Sequence, residues 1–135
     1  MVKLIIGEKG TGKTKRFTDM ANNALKETNG SVVCVEKGSI TTFHMKPQIR
    51  LINIDEYKID NYKSFYGFLT GLIASNYDIT DIFIDSIFRI IEKDELKFTD
   101  LINKINQEKC FESINLTIFV SAKKEEFEKF KKFFC

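Results

Sequence analysis

The chain has 135 residues, 43% hydrophobic and 30% charged, a size and balance that fit one globular domain over 1–135 and exclude a disordered segment, a collagen-like repeat or a disulfide-stapled miniprotein. Lys and Arg number 21 against 19 Asp and Glu, for a net charge of +2 and a pI near 8.4, so nucleic acid is not indicated by bulk charge. Three cysteines, Cys34, Cys110 and Cys135, are odd in number and lack metal-ligand spacing; with no apolar stretch near the roughly 18 residues that span a bilayer, the expectation is a reducing, cytoplasmic setting.

Val2–Ile6 is the first of five apolar runs of strand length, followed by Val32–Val35, Leu51–Ile54, Ile82–Ile84 and Leu116–Val120. Each is nearly continuous and rich in β-branched or aromatic residues, as strands buried on both faces are. Helical spacing follows the first run from about Lys13 to Glu27, with Phe17, Met20, Ala21, Ala24 and Leu25 on one face and Asn29-Gly30 as the expected C-terminal cap. The stretch from Glu36 to Ile49, with Gly38 and Pro47, reads as a loop. Asn61 is the predicted N-cap of a second helix bearing Tyr62, Phe65, Tyr66, Leu69, Leu72 and Ile73, and its Gly67 and Gly71 are expected to permit close approach to a sheet.

Leu101, Ile102 and Ile105 mark a third helix. Phe127, Phe130, Phe133 and Phe134 mark a fourth, whose mixed Lys and Glu favour packing on the sheet over a membrane-surface role. The alternation of strands and helices predicts an α/β three-layer sandwich with a five-stranded, mainly parallel sheet joined by right-handed crossovers.

One motif carries chemistry. Gly7, Glu8, Lys9, Gly10, Thr11, Gly12, Lys13 and Thr14 satisfy the pattern of a glycine, four free positions, then Gly-Lys-Thr, between a predicted strand and a predicted helix. Such a loop bends around an anion and turns successive backbone N–H groups toward it, and glycines let the backbone approach phosphate closely. In this reading Lys13 reaches the β- and γ-phosphates and the Thr14 hydroxyl ligates Mg²⁺.

These eight residues, with the strand order that follows them, resemble the P-loop NTPase superfamily, in particular its additional-strand, RecA-like class. The layout is also similar to small single-domain bacterial ATP-binding proteins. The resemblance implies a nucleotide at the strands' C-terminal edge, bound by Gly7 to Thr14 with Lys15 and Ser121. It also implies a second motif in which an apolar strand ends in an Asp that holds the Mg²⁺ shell. Ile82-Phe83-Ile84-Asp85 fits, and Leu51 to Ile54 followed by Asp55-Glu56 competes. Asp85 is preferred because the next apolar strand, Leu116–Val120, ends at Ser121, which resembles a sensor residue on a strand lying between the two motif strands. Ser121 reads equally as a helix N-cap before Lys124.

The resemblance leaves catalysis open. Ser86 follows Asp85 where many hydrolysing relatives carry Glu. Glu36 resembles the water-polarising glutamate of RecA-like enzymes, Glu56 is the other candidate, and either reads also as a solvated strand-end charge. Arg89 is a candidate contact to phosphate, in cis or across an interface, against a plain reading as a surface charge. Asn103-Lys104-Ile105-Asn106 lacks the aspartate of a guanine-reading motif, which favours ATP. His44 has no ligand-spaced neighbours, so Mg²⁺ carried by nucleotide is the one metal expected. Thr41, Thr42, His44 and Lys46 form a loop segment that reads as solvated or as lying near the nucleotide. The function that emerges is an ATP-binding protein, a slow or partner-dependent ATP hydrolase in a homo-oligomer or with a protein partner. The alternatives are an ATP-sensing module without turnover and, third, a small nucleoside or nucleotide kinase, for which no arginine-bearing lid is evident.

Overall fold

The five apolar runs become five strands, four of them slightly longer than the apolar run and the third shifted back by one residue, so that Ile54 falls in the turn that follows. The computed structural model describes residues 1–7, 12–38 and 44–133. In chain order these form β1 (Val2–Gly7), α1 (Lys13–Glu27), β2 (Ser31–Glu36), β3 (Arg50–Asn53), a 3-10 turn (Ile54–Glu56), α2 (Tyr62–Ser75), β4 (Ile79–Ile84), α3 (Ile87–Ile90) and α4 (Glu95–Gln107). A second 3-10 turn (Lys109–Phe111), β5 (Asn115–Ser121) and a 3-10 segment (Lys124–Phe133) follow. The strands make one sheet in the order β1-β5-β4-β2-β3, and every neighbouring pair is parallel.

Side chains alternate across the pleat, so each strand feeds two cores. Ile5, Val32, Cys34, Phe83 and Phe119 face α1 and pack with its Phe17 and Ala21. Leu4, Val33, Val35, Ile82, Ile84, Leu116, Ile118 and Val120 face the opposite way and meet α2, α3 and α4 through Phe65, Leu69, Ile87, Phe98 and Ile102. This is the three-layer sandwich expected from the sequence. Phe17 fixes α1 over the middle of the sheet: fully buried, it meets Phe119 edge-on at 5.2 Å and Phe83 at 6.4 Å. Such aromatic pairs contribute about 0.5–1.5 kcal/mol each beyond their burial, and they hold the N-terminus of α1 in register with β4 and β5.

Helix ends and glycines depart from expectation in instructive ways. Asn61 does cap α2: its side chain accepts from Ser64 N, and Ser64 answers with a reciprocal bond to the Asn61 backbone. Asn29-Gly30 does not cap α1. The helix ends at Thr28, in an extended conformation with its N–H on Ala24 O, and the Thr28 hydroxyl accepts from Gly30 N at 3.0 Å. Gly30 is a glycine for want of space, since a Cβ there would lie 2.2 Å from Asp78 O. The opposite correction applies to Gly67 and Gly71. Neither approaches the sheet: a Cβ at either meets nothing within 4 Å, and both border a groove of about 390 Å³ with Ile52, Tyr57 and Phe68.

The C-terminal phenylalanines also take a different form. Lys124–Phe133 is a 3-10 segment rather than an α-helix, and the three-residue spacing of Phe130 and Phe133 matches its three residues per turn. Packing on the core is as expected: Phe130 is buried against Phe98, with ring centroids 5.3 Å apart, and half-buried Phe133 joins the same cluster. Phe134, Cys135 and the side chain of Phe127 lie outside what is described.

The two kinds of glycine predict opposite responses to the same change. Gly30→Ala is expected to lose about 1–3 kcal/mol through overpacking against backbone. Gly71→Ala, in open helical surface, is expected to gain about 0.5–1 kcal/mol by removing helix-interior glycine. Urea titration of the two variants measures both signs.

Candidate functional site

Parallel pairing brings the C-terminal ends of all five strands to one edge. Gly7 ends β1 opposite Ser121 of β5, and Glu36 ends β2 opposite Asn53 of β3. The ladder continues past the strands through Ala122 N donating to Gly7 O at 3.2 Å and Asp85 N donating to Val35 O at 2.9 Å. This row of strand ends carries Gly7, Ser121, Asp85 and Glu36. Glu8, Lys9, Gly10 and Thr11 lie outside the described residues, as do Thr41 and Thr42.

Gly12 opens α1 in a left-handed conformation, φ 79° and ψ 23°, which L side chains rarely adopt; space is not the reason, because nothing lies within 4 Å of a Cβ there. The helix N-termini differ in chemistry. Asn61 and Asp94 cap α2 and α4 with side-chain oxygens, whereas Gly12 offers α1 no acceptor of its own, which suits an anion brought from outside. Lys13 is half-buried and Thr14 and Lys15 are exposed in the first turn, where the Thr18 hydroxyl donates to Thr14 O at 3.1 Å.

Asp85 is one of two buried acidic residues at this edge, 8% exposed. Desolvation pushes its carboxyl above the usual carboxylate range, while the Ser86 hydroxyl and the positive charges of Arg89 and Lys13 work in the other direction. Asp85 and Lys13 are therefore within electrostatic reach across the β5 position. Arg89 is exposed on α3 and belongs to the same charge group. Asp55 stands elsewhere: it follows β3, separated from β1 by three strands, is exposed, and faces Lys37 at 4.0 Å.

Glu36 is almost wholly buried, 2% exposed. Its neighbour Cys34 has a thiol pushed well up, chiefly by burial and then by the negative charges of Glu36 and Asp85, so this cysteine is an inert packing residue. Glu36, Asn53 and exposed Glu56 border a cavity of about 290 Å³. Sequence reasoning passed over Asn53, whose Oδ1 accepts from Gly38 N at 2.9 Å and Asp55 N at 3.1 Å, tying the chain after Glu36 to the end of β3. His44 and Lys46 are exposed, as a solvated loop would have them, and their backbone is tied to α1: Asn22 donates to His44 O and accepts from Lys46 N, both at 3.1 Å, with Met45 between them buried. Ser86 was noted from the sequence only as a missing glutamate. It has φ 49° and ψ 61° and donates its hydroxyl to Asp85 Oδ1 at 3.2 Å, and no sequence pattern announces a left-handed serine.

Cavity size does not locate the chemistry. A larger hollow of about 430 Å³ lies between α2 and α4, lined by Tyr62, Tyr66, Lys97 and Lys104 among others, and none of the candidate nucleotide residues borders it. Among the described residues no group of three or more His, Cys, Asp or Glu could hold a metal ion, and no helix is long and apolar enough to cross a membrane.

No family model matches the chain, and no curated protein matches it. Among solved structures it is similar to the flagellar accessory protein FlaH from Methanocaldococcus jannaschii, with a TM-score of 0.61 and 16% identity. The match covers 97% of this chain and 66% of that one, so the chain spans just under two thirds of the length of its structural neighbour. The likeness shows the fold: an α/β sandwich of RecA-like type around a five-stranded parallel sheet.

Burial of Asp85 makes a prediction about the protein without ligand. A carboxyl whose folded-state pKa is raised destabilises the fold once ionised; the penalty is absent below the unfolded value near ~3.9 and complete above the folded value. Asp85→Asn is therefore expected to raise the melting temperature at neutral pH, with the gain vanishing as pH falls through that window. Thermal melts of wild type and variant from pH 3 to pH 8 follow the difference.

Proposed function

We propose that residues 1–135 form a single nucleotide-binding domain that takes ATP with Mg²⁺ at the C-terminal edge of the sheet and hydrolyses it slowly or with the help of a partner. The observation that carries this reading is the buried Asp85 carboxyl past β4, at the sheet edge where α1 begins, with the positive charges of Arg89 and Lys13 both favouring its ionised form. A desolvated acid beside a lysine and an arginine suits a site that must balance phosphate and a divalent cation.

Within this reading, the Gly7-to-Thr14 segment cradles the phosphates, Lys13 Nζ meets the β- and γ-phosphate oxygens, and Lys15 and Ser121 border the same anion. Thr14 Oγ1 and the Asp85 carboxylate would hold Mg²⁺. Both are hard oxygen donors, and two protein oxygens suit an ion that keeps waters and takes its other ligands from phosphate. When bound, Mg²⁺ neutralises charge on the transferring phosphoryl group. Glu36 is the candidate to accept a proton from the attacking water through its carboxylate, with Glu56 at the same cavity as the alternative. Arg89, exposed beside Asp85, is available to a nucleotide held in its own chain or in a neighbouring copy.

A second reading, an ATP-sensing module without turnover, is favoured by one observation: Glu36 is 2% exposed, a poor position from which to orient water unless the site opens. The two share binding and part at hydrolysis.

Mg²⁺·ATP is expected to raise the melting temperature, since a ligand of the native state at 100 times its Kd adds about 2.7 kcal/mol. Lys13→Ala should remove most of that gain and keep the fold; an unchanged shift sinks the phosphate-loop reading. Asp85→Asn should weaken ATP binding in magnesium far more than in EDTA, and Asp55→Asn should do neither.

Turnover measured over a range of protein concentration separates the two readings. An arginine supplied across an interface is worth roughly 10³–10⁵ in rate, so the ATPase reading expects activity that climbs with concentration and is lost in Glu36→Gln and Arg89→Ala. Tight Mg²⁺·ATP binding with no phosphate release at any concentration selects the sensing module.

A further inference from the structure

Ser86 is, among the described residues, the single residue other than glycine with a positive φ. The chain must turn there from strand to helix in one step. On one side Asp85 N donates to Val35 O at 2.9 Å, so the β4–β2 ladder runs through Asp85. On the other side Arg89 N donates to Ser86 O at 2.9 Å and Ile91 N to Ile87 O at 3.0 Å, so α3 begins at once. Ile87 and Ile90 are buried in the α2–α4 core, which leaves residue 86 no freedom to relax without drawing them out.

Backbone strain alone would select glycine at this position, because the left-handed region carries a penalty for any residue with a Cβ. Serine gains one thing that glycine lacks. Its hydroxyl, carried back over the strand end by the left-handed turn, donates to Asp85 Oδ1 at 3.2 Å and stabilises the ionised carboxylate. One of the two carboxylate oxygens is thereby engaged by the hydroxyl, in addition to the backbone hydrogen bond from residue 86 that glycine would keep.

We propose that Ser86 is a positioning residue for the cation site: its hydroxyl orients the Asp85 carboxylate toward nucleotide-bound Mg²⁺, and the strained backbone at 86 is retained because that hydroxyl is needed. This rests on Asp85 as a Mg²⁺ ligand. It assigns a function to the residue standing where many related ATPases carry glutamate, and it holds whether or not the bound ATP is hydrolysed.

The experiment measures the dissociation constant of ATP in magnesium and in EDTA by calorimetry, with the melting temperature of each ligand-free protein, for wild type, Ser86→Gly, Ser86→Ala, Ser86→Asn and Asp85→Asn. Ser86→Gly relaxes the backbone and deletes the hydroxyl. It is expected to melt no lower than wild type and to bind ATP in EDTA as wild type does, yet to lose about tenfold of the magnesium-dependent affinity, the scale of one hydrogen bond to a charged group. Ser86→Ala should lose as much, which separates the hydroxyl from glycine's flexibility. Ser86→Asn, whose side chain tolerates the left-handed region and carries a donor, should recover most of it. Full magnesium-dependent affinity in both Ser86→Gly and Ser86→Ala, with Asp85→Asn impaired, overturns the role of Ser86 and leaves the site standing. An unimpaired Asp85→Asn, or no ATP binding by wild type, overturns the metal reading and this inference together.

Discussion

β5 carries parallel ladders on both edges, to β1 on one side and to β4 on the other, and the candidate site exists because of that insertion. Without it, Lys13 at the head of α1 and Asp85 at the end of β4 would have no shared frame. With it, Gly7 is locked to Ser121 and Ile84 to Ile118, so β1 and β4 share one register on either side of β5, with the end of β4 level with Leu4 and β1 running on to Gly7. Phe17 contributes the third coordinate by gripping Phe83 and Phe119 from above, which stops α1 sliding along the sheet. Position along the strands comes from backbone hydrogen bonds, and height over them comes from aromatic packing.

The electrostatics of the edge follow from that frame. Two neighbouring strands, β2 and β4, place Asp85, Glu36 and the buried Cys34 in one neighbourhood, where water is scarce and each negative charge raises the cost of the next. Lys13 and Arg89 offset part of that cost. The buried Asp85 carboxyl lowers the stability of the protein, a compromise common at binding sites.

Much of the fold was legible because strands buried on both faces leave an unmistakable mark. Leu116–Val120 could hardly be anything else, and the helical stripe ending at Leu25 is equally plain. Strand order is not a local property, and its sequence-level basis was resemblance to a known class. Glycines were the weakest point, since a residue without a side chain carries no sign of why it is there. Gly30 answers to Asp78, far along the chain, and Gly67 and Gly71 answer to nothing nearby. The candidate site divides the same way. Its glycine-lysine motif is written in eight consecutive residues, whereas Ser86 and Asn53 matter through geometry that arises only after β2 has met β4 and β3.

The strand order also governs when this protein can become itself. β1 sits at the rim of the sheet, and its one strand neighbour is β5, so Val2 must find Leu116. Contacts of such long sequence separation are slow to form, because the intervening chain resists closure before any contact rewards it. On a ribosome β1 is made before β5, and its edge waits unpaired until Asn115–Ser121 has been made. β1 is thus docked only after β5 arrives, so the strand that leads into α1 joins the sheet at the end of folding rather than at its start.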